Sequence, residues 1–427
     1  MRGIALVIGN GEYEHLESLP NPGNDARDME KLLDQLGFET EFAINRNAKR
    51  LKRDIRNFLE DAEEADVALV YYAGHGIEAG GENFIVPVDA NPDELRENIK
   101  NLLPLSSFLS QLRETVPVAI VLMDACRINP FPPDFKLRLT ADSKPVSVAA
   151  TGLGIAGLSE GSRGSFSLAE QDQPNANNIA TIISFAAAPG RAALDGEAGG
   201  NSPYASALLK HLVTPNATFS DVMTMVTEEV YLKTGSRQRP WTNASLRRLL
   251  YFGSTVKEDN VDDSRLTDAR RELLLTISTT PTHTRSLVDS LAQQNDVSLD
   301  LLYGMLKELN IDVSEDTSNL EQKLREGAKN LKSLTANTER AIRNDKELTR
   351  LASLADRAQS EGVLSLAREY RALASKRADE LDDLLNQRED ALKADRLELA
   401  STYADEADTA LLSFDYETAT KQYEAAF

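Results

Sequence analysis

The chain reads as an α/β protein, a mostly parallel sheet flanked by helices, followed by an all-helical, repeat-like region. Three observations predict this. Short apolar runs alternate with helix-patterned stretches through residues 1–256. Those runs are continuously apolar, as strands covered on both faces are. Glycine and proline then nearly vanish: 20 of 23 glycines lie in residues 1–256, and of 16 prolines only Pro281 lies beyond. Both residue types punctuate turns between short elements, so their scarcity predicts long helices.

Residues 2–8 form a first apolar strand. Asn24-Asp25-Ala26 then offers a helix start, Met29, Leu32, Leu33 and Leu36 recur at helical spacing, and Gly37 stands where a helix C-cap prefers glycine. A strand over 38–44, a helix over 49–62 and a third strand over 66–72 follow. Next come a helix over 105–114 and a fourth strand over 116–123. Residues 136–178 are rich in Ser, Gly, Ala, Asn and Gln and lack periodicity, which marks a flexible loop; one this long inside a compact domain is functional or disordered. A fifth strand covers 180–187. Beyond 265, helical spacing fills 320–352 and 364–399. Over 400–427, Tyr403, Ala407, Tyr416, Ala419, Tyr423 and Ala426 fit a helix–turn–helix repeat of tetratricopeptide type, with its turn near Phe414-Asp415. The chain stops inside the second helix of that repeat. The reading therefore expects either further sequence beyond it or earlier helices stacked irregularly beneath it.

At 427 residues the chain is long enough for two or three domains of roughly 100–200 residues each. The expected divisions are a sheet domain over 1–255, a helical connector over 256–315 and a helical region over 316–427. Against 47 Lys and Arg stand 68 Asp and Glu, a net charge of −21 and the wrong sign for a surface that grips nucleic-acid phosphates. A single cysteine excludes an internal disulfide framework and a multi-cysteine zinc site. No apolar run approaches the roughly 20 residues that span a bilayer, and residues 4–8 are too short for a signal-peptide core. The expectation is a cytoplasmic protein with no metal site, no nucleic-acid partner and no membrane partner.

In sheets of this type ligands sit outside the carboxyl ends of the strands. Ala73-Gly74-His75-Gly76 follows the third strand, and Asp124-Ala125-Cys126-Arg127 follows the fourth. The one cysteine and one of four histidines are thus expected in neighbouring loops at the same sheet edge. Alone, the cysteine would read as an inert small hydrophobe and the histidine as structural. Together, His75 lying 51 positions before Cys126, they read as a base and a nucleophile.

These segments resemble the two catalytic motifs of the caspase–metacaspase family of cysteine peptidases. Further segments agree in order: Ala5-Leu6-Val7-Ile8-Gly9-Asn10, Asn21-Pro22 with Asn24-Asp25-Ala26, Leu36-Gly37-Phe38, Phe84-Ile85-Val86-Pro87-Val88-Asp89, Ala187-Ala188-Pro189-Gly190, Asp195-Gly196, Asn201-Ser202-Pro203-Tyr204 and Gln238-Arg239-Pro240-Trp241. The resemblance is to bacterial members, covers about residues 1–255 and says little of the rest. It implies a caspase-like fold and a thiol endopeptidase. The Cys126 thiolate would attack the carbonyl carbon and form a thioester, and His75 would supply the thiolate and protonate the leaving amine. The resemblance also assigns the oxyanion donors to the N–H groups of Gly76 and Cys126.

Animal caspases bind aspartate with basic pocket residues and usually carry glutamine two positions before the nucleophile; this chain has Asp124 there. Asp25 resembles an acidic pocket residue of metacaspases, Asp195 is a further candidate, and Trp241 is a candidate for lining the groove. Carboxylates in such a pocket favour a cationic side chain and repel an anionic one, and arginine pairs with them bidentately. Cleavage after Arg, then Lys, of protein or peptide substrates is expected. Alternatively, Asp25 is only a helix N-cap. Lys136, Arg138, Lys144 and Arg163 in the long loop are expected sites of self-cleavage that would mature a zymogen. No cofactor is required; the resemblance raises Ca²⁺ as an activator, but no calcium-loop motif supports it. The helical region is expected to bind a protein partner, regulating or targeting the enzyme. The alternative is a catalytically silent scaffold of the same fold.

Overall fold

The structure is a computed structural model. It describes residues 2–97, 99–126, 130–132, 135–139, 143–148, 179–188, 191, 193–247, 249–252, 261–309, 317–336, 345–413 and 415–426. The chain forms two compact units, Met1–Ser333 and Leu334–Phe427.

The first unit begins with β1 (Gly3–Gly9), α1 (Pro22–Gln35), β2 (Phe38–Ile44), α2 (Ala48–Asp61), β3 (Val67–Ala79), β4 (Glu82–Ile85), α3 (Pro92–Leu95), β5 (Leu103–Pro104), α4 (Leu105–Thr115) and β6 (Val118–Cys126). It continues with β7 (Lys136–Leu137), β8 (Val146–Ser147), β9 (Ala180–Phe185), α5 (Pro203–His211), α6 (Phe219–Lys233) and β10 (Trp241–Leu246). Then come α7 (Val261–Ser278), α8 (Thr282–Asn295), α9 (Leu299–Leu309) and α10 (Thr317–Ala336), the last running across the division.

The main sheet has the order β10-β9-β6-β3-β1-β2. Every neighbouring pair is parallel except the edge pair β9–β10. The apolar strands read from the sequence are its centre, and their alternate residues feed two cores, as the two-residue period of a strand requires. Val7, Leu69, Tyr71 and Leu122 join the core beneath α1, α5 and α6, whereas Leu6, Val70, Tyr72 and Met123 join the one beneath α2 and α4. Beyond the carboxyl ends of the strands, the outer half of β3 pairs with β4, and β4 with β5. A third core lies there, with Tyr13, Ile77, Phe84, Val86, Phe135 and Leu137. The expected flexible loop over 136–178 therefore opens with the folded hairpin β7–β8, in which Leu137 is buried; residues 149–178 lie outside the described ones.

Composition shifts near residue 256, but the apolar core does not stop there. Leu273, Leu274 and Ile277 of α7, Val288 and Leu291 of α8 and Leu302 of α9 belong to the same cluster as Val7 and Tyr71. Buried ion pairs join these helices to α6. Arg285 grips Glu228 with two hydrogen bonds of 2.9 and 2.8 Å, and Arg270 reaches Glu229 at 3.0 Å and Asp300 at 2.7 Å.

The second unit contains α11 (Lys346–Ser360), α12 (Leu364–Leu412) and α13 (Tyr416–Ala426). α11 packs on the start of α12 through Leu351, Ala355, Leu366 and Tyr370. α13 packs on its end, where Ala407, Ala410 and Ala419 are buried, so the expected helix–turn–helix forms. The two helical patterns read over 364–427 are one 49-residue helix and a short one. At 1.5 Å per residue the long helix extends about 74 Å.

Candidate active site

β3 and β6 run parallel in a register that pairs Ala73 with Asp124, Gly74 with Ala125 and His75 with Cys126. Adjacent strands lie roughly 4.8 Å apart, so the histidine and cysteine backbones stand side by side. Both residues were expected in loops, but His75 lies within β3 and Cys126 ends β6.

The reason is local. β1 ends at Gly9, opposite Ala73, and the Asn10 N–H still donates to the Ala73 carbonyl at 2.9 Å. Beyond this point β3 has lost its β1 neighbour. Gly74 takes φ +151°, and a Cβ there would lie within 2.9 Å of the Tyr72 hydroxyl, the Tyr13 hydroxyl and the Asn10 carbonyl. Only glycine fits. The strand then continues, with the His75 N–H donating to the Tyr13 hydroxyl at 2.7 Å and the Tyr72 hydroxyl donating to the His75 carbonyl at 2.7 Å.

The His75 ring is buried against Tyr13, ring centroids 4.4 Å apart. Its Nε2 lies 2.8 Å from the Glu17 carbonyl oxygen. A carbonyl only accepts, so Nε2 carries the proton and Nδ1 is the basic nitrogen. Nδ1 is buried with no hydrogen-bond partner among the described residues. Burial lowers the imidazole pKa, opposed by the Glu17 carbonyl, so the ring is neutral near pH 7. Gly76 follows at once and pairs with Ile85.

Three carboxylates gather at the same end of the sheet. α1 starts at Pro22 after Asn21, three residues before Asp25, so Asp25 is not its cap but an acid of its first turn. Its Oδ1 accepts the Ser202 N–H at 2.9 Å. The Ser202 hydroxyl donates to Asp124 Oδ2 at 2.5 Å and accepts the Ala205 N–H at 2.9 Å, capping α5. Tyr71 donates to the same Asp124 oxygen at 2.9 Å. Asp195 lies in the segment leading to Ser202. Asn21 fastens that segment to α1: its Nδ2 donates to the carbonyls of Asp195 (2.6 Å) and Glu197 (2.9 Å), and its Oδ1 accepts the Gly199 N–H at 3.0 Å. Buried Gln238 holds the other side through the Ala186 carbonyl and the Leu194 N–H.

Burial and then the Asp124 charge push Asp25 up to about 9, with Asp195 adding to the effect. Burial pushes Asp124 up to about 6 against the pull of the Ser202 and Tyr71 hydroxyls, and also raises Asp195. Asp195 Oδ2 is buried with no hydrogen-bond partner among the described residues. The cluster resists holding full negative charge by itself, and a cation would relieve it.

Trp241 opens β10 half-buried, 6.2 Å from the Phe185 ring, and joins the α2–α4 core. Lys136 is paired in β7, Arg138 and Lys144 are exposed in the turn region between β7 and β8, and Arg163 lies outside the described residues, as does Arg127. Among the described residues no group of three or more His, Cys, Asp or Glu side chains is arranged to hold a metal ion, and no helix is long and apolar enough to cross a membrane. Sequence reasoning missed Tyr13 and the Glu17 carbonyl, and quoted Asn21, Ser202 and Gln238 only within motifs, without a role. The signal available was the polar, Gly-punctuated character of residues 9–24 and 195–202, too short for secondary structure of their own.

A family model described as the caspase domain matches residues 2–251. The human protein named mucosa-associated lymphoid tissue lymphoma translocation protein 1 is 34% identical over 127 residues, 29% of this chain, and the Mus musculus homolog matches to the same extent. This chain covers 15% of the length of those relatives. Among solved structures, caspase-1 from Spodoptera frugiperda aligns at TM-score 0.39 and 20% identity, over 60% of this chain and 92% of that one. The Drosophila initiator caspase Dronc aligns at TM-score 0.38 and 12% identity, over 60% and 85%.

Proposed function

The chain belongs to the caspase-domain family, and from that premise we propose that it is a cysteine endopeptidase that cuts after basic residues, arginine ahead of lysine. The observation that carries the specificity is the meeting of Asp25, Asp124 and Asp195 at the strand ends that also bear His75 and Cys126. A guanidinium would supply positive charge to this cluster, and two acids offer it bidentate partners.

In the proposed reaction the basic His75 Nδ1 takes the Cys126 thiol proton. The thiolate adds to the peptide carbonyl, and His75 returns the proton to the leaving amine as the thioester forms. Water then attacks the thioester, giving its proton to His75, and the acid product leaves as the thiol is restored. The N–H groups of Gly76 and Cys126 are the proposed oxyanion donors, each worth about 10²–10³-fold in comparable enzymes. These steps call on no metal or cofactor.

Two finer parts of the reading concern control. Exposed Arg138 and Lys144 are better self-cleavage sites than Lys136, because the Lys136 backbone is tied into a hairpin. The middle of α12 is bare and carries exposed Leu384, Leu385, Leu392 and Leu399, which supports a role for the helical region in binding a protein that regulates or targets the peptidase.

Covalent labelling tests the reading. A peptide chloromethyl ketone ending in arginine should add one mass increment to the protein and none to Cys126→Ala. Equal or faster addition of the aspartate reagent contradicts the acidic pocket.

A further inference from the structure

We infer that Tyr13 is the residue that positions His75, acting as a side-chain substitute for a missing strand and as the wall that keeps the imidazole dry. The inference deepens the peptidase reading and rests on it for its kinetic part; its structural part stands alone.

β3 keeps β6 on one side as far as His75, but its other neighbour, β1, ends opposite Ala73. A buried backbone N–H left without an acceptor costs about 1–3 kcal/mol. The Tyr13 hydroxyl takes the N–H of His75 at 2.7 Å, just past the last β1 pairing. That hydroxyl in turn donates towards the Val86 carbonyl at 3.4 Å, on the segment that follows β4. The His75 backbone is thus held on the side that β1 has left.

The same side chain shields the ring. Tyr13 is itself buried and lies over the imidazole, 4.4 Å between centroids at an interplanar angle of 43°. The loop carrying Tyr13 also presents the Glu17 carbonyl to Nε2. Its base is fixed: Asn45 Oδ1 accepts the N–H groups of Gly11 and Glu12, and the Leu19 N–H closes onto the Gly11 carbonyl at 2.9 Å. One short loop therefore sets the position, the tautomer and the hydration of the proposed base. Tyr13 binds no substrate in this account. It acts through His75, so its loss should reduce turnover without weakening arginine binding.

The experiment compares Tyr13→Phe and Tyr13→Ala in the full chain by two readouts. One is the titration of the His75 imidazole by NMR in a Cys126→Ala background, with the resonance identified by its loss in His75→Ala. The other is kcat and KM for an arginyl peptide. Tyr13→Phe keeps the ring and loses the acceptor: the His75 midpoint should stay below the ordinary histidine value, while kcat falls at least about tenfold, within the 10²-fold that small misplacements cost, and KM stays within about twofold. Tyr13→Ala should move the His75 midpoint up towards the ordinary value of about 6.5 and shift the acid limb of kcat/KM the same way. An unmoved midpoint in Tyr13→Ala, or unchanged kcat in Tyr13→Phe, overturns the inference. So does a parallel fall of kcat and active-site titre, which is the mark of mere unfolding. If the parent shows no Cys126-dependent turnover while the midpoint still moves, the peptidase reading fails and the positioning of His75 by Tyr13 stands.

Discussion

Asp25 and Asp124 are yoked to one residue: Ser202 gives its N–H to the first at 2.9 Å and its hydroxyl to the second at 2.5 Å. One acid comes from the first turn of α1 and the other from the end of β6. Among the described residues, the donors to these two acids are a backbone amide and hydroxyls rather than a cation. Such a site is costly to build, and the proposed occupant that offsets the cost is a substrate guanidinium.

The first prediction concerns pH. Burial pushes Asp124 up to about 6 and Asp25 up to about 9, so each ionisation adds negative charge where the arginine side chain is proposed to bind. For arginyl peptides kcat/KM should climb from pH 6 to 9 more steeply than the alkylation rate of Cys126 by iodoacetamide, which follows the thiolate alone. Asp25→Asn should remove the upper part of that excess.

Stability should move the opposite way. The pKa of Asp25 is raised on folding, so the folded chain holds a proton that the unfolded chain releases. Stability from this group is full below its ordinary value of 3.8 and is lost as pH rises to about 9. Asp25→Asn should therefore raise Tm at pH 8 and leave it nearly unchanged at pH 4. Each kcal/mol relieved is worth roughly 2–4 °C in domains somewhat smaller than this one. Melts at the two pH values, read by intrinsic fluorescence, check this.

Removing the second acid tests specificity. Loss of one partner from a buried charged contact costs about 2–5 kcal/mol, or about 30-fold and upwards in an equilibrium constant. Asp124→Asn should lower kcat/KM for arginyl peptides by at least that factor, with the loss mainly in KM. Progress curves at several substrate concentrations separate the two constants.

The helices beyond residue 256 are predicted to be part of the folded peptidase unit. Arg285→Met leaves Glu228 buried without its bidentate partner, a loss of about 3–5 kcal/mol. Tm should drop by several degrees, and Glu228→Gln added to Arg285→Met should recover most of it. Equal melting of parent and single variant would remove the ion pair from the account.

Much of this was legible in the sequence because the physics was local. The apolar runs that became β1, β3, β6 and β9 declare themselves, and the motifs bearing His75 and Cys126 follow from where those runs end. Asp25 and Asp124 stood out in the sequence within Asn24-Asp25-Ala26 and Asp124-Ala125-Cys126, and the structure brings them together through Ser202; their place in a substrate pocket is the proposal. What could not be read depends on contacts between distant residues. Tyr13 matters because β1 stops short of His75, and Gly74 needs its unusual φ because two tyrosine hydroxyls crowd it. The strand extension that takes His75 out of a loop has the same origin. The packing of α7–α9 was hidden for another reason: their charged residues Arg270 and Arg285 look like solvated surface in sequence, yet they are buried against α6.

The most direct test of the central claim is fluorophore release from matched peptides ending in Arg, Lys or Asp, with Cys126→Ala as the control and with Ca²⁺ present or chelated. The account predicts turnover after Arg, slower turnover after Lys, none after Asp and none in the variant. Turnover after Asp alone would contradict the acidic pocket, and turnover that persists in Cys126→Ala would contradict the thiol mechanism.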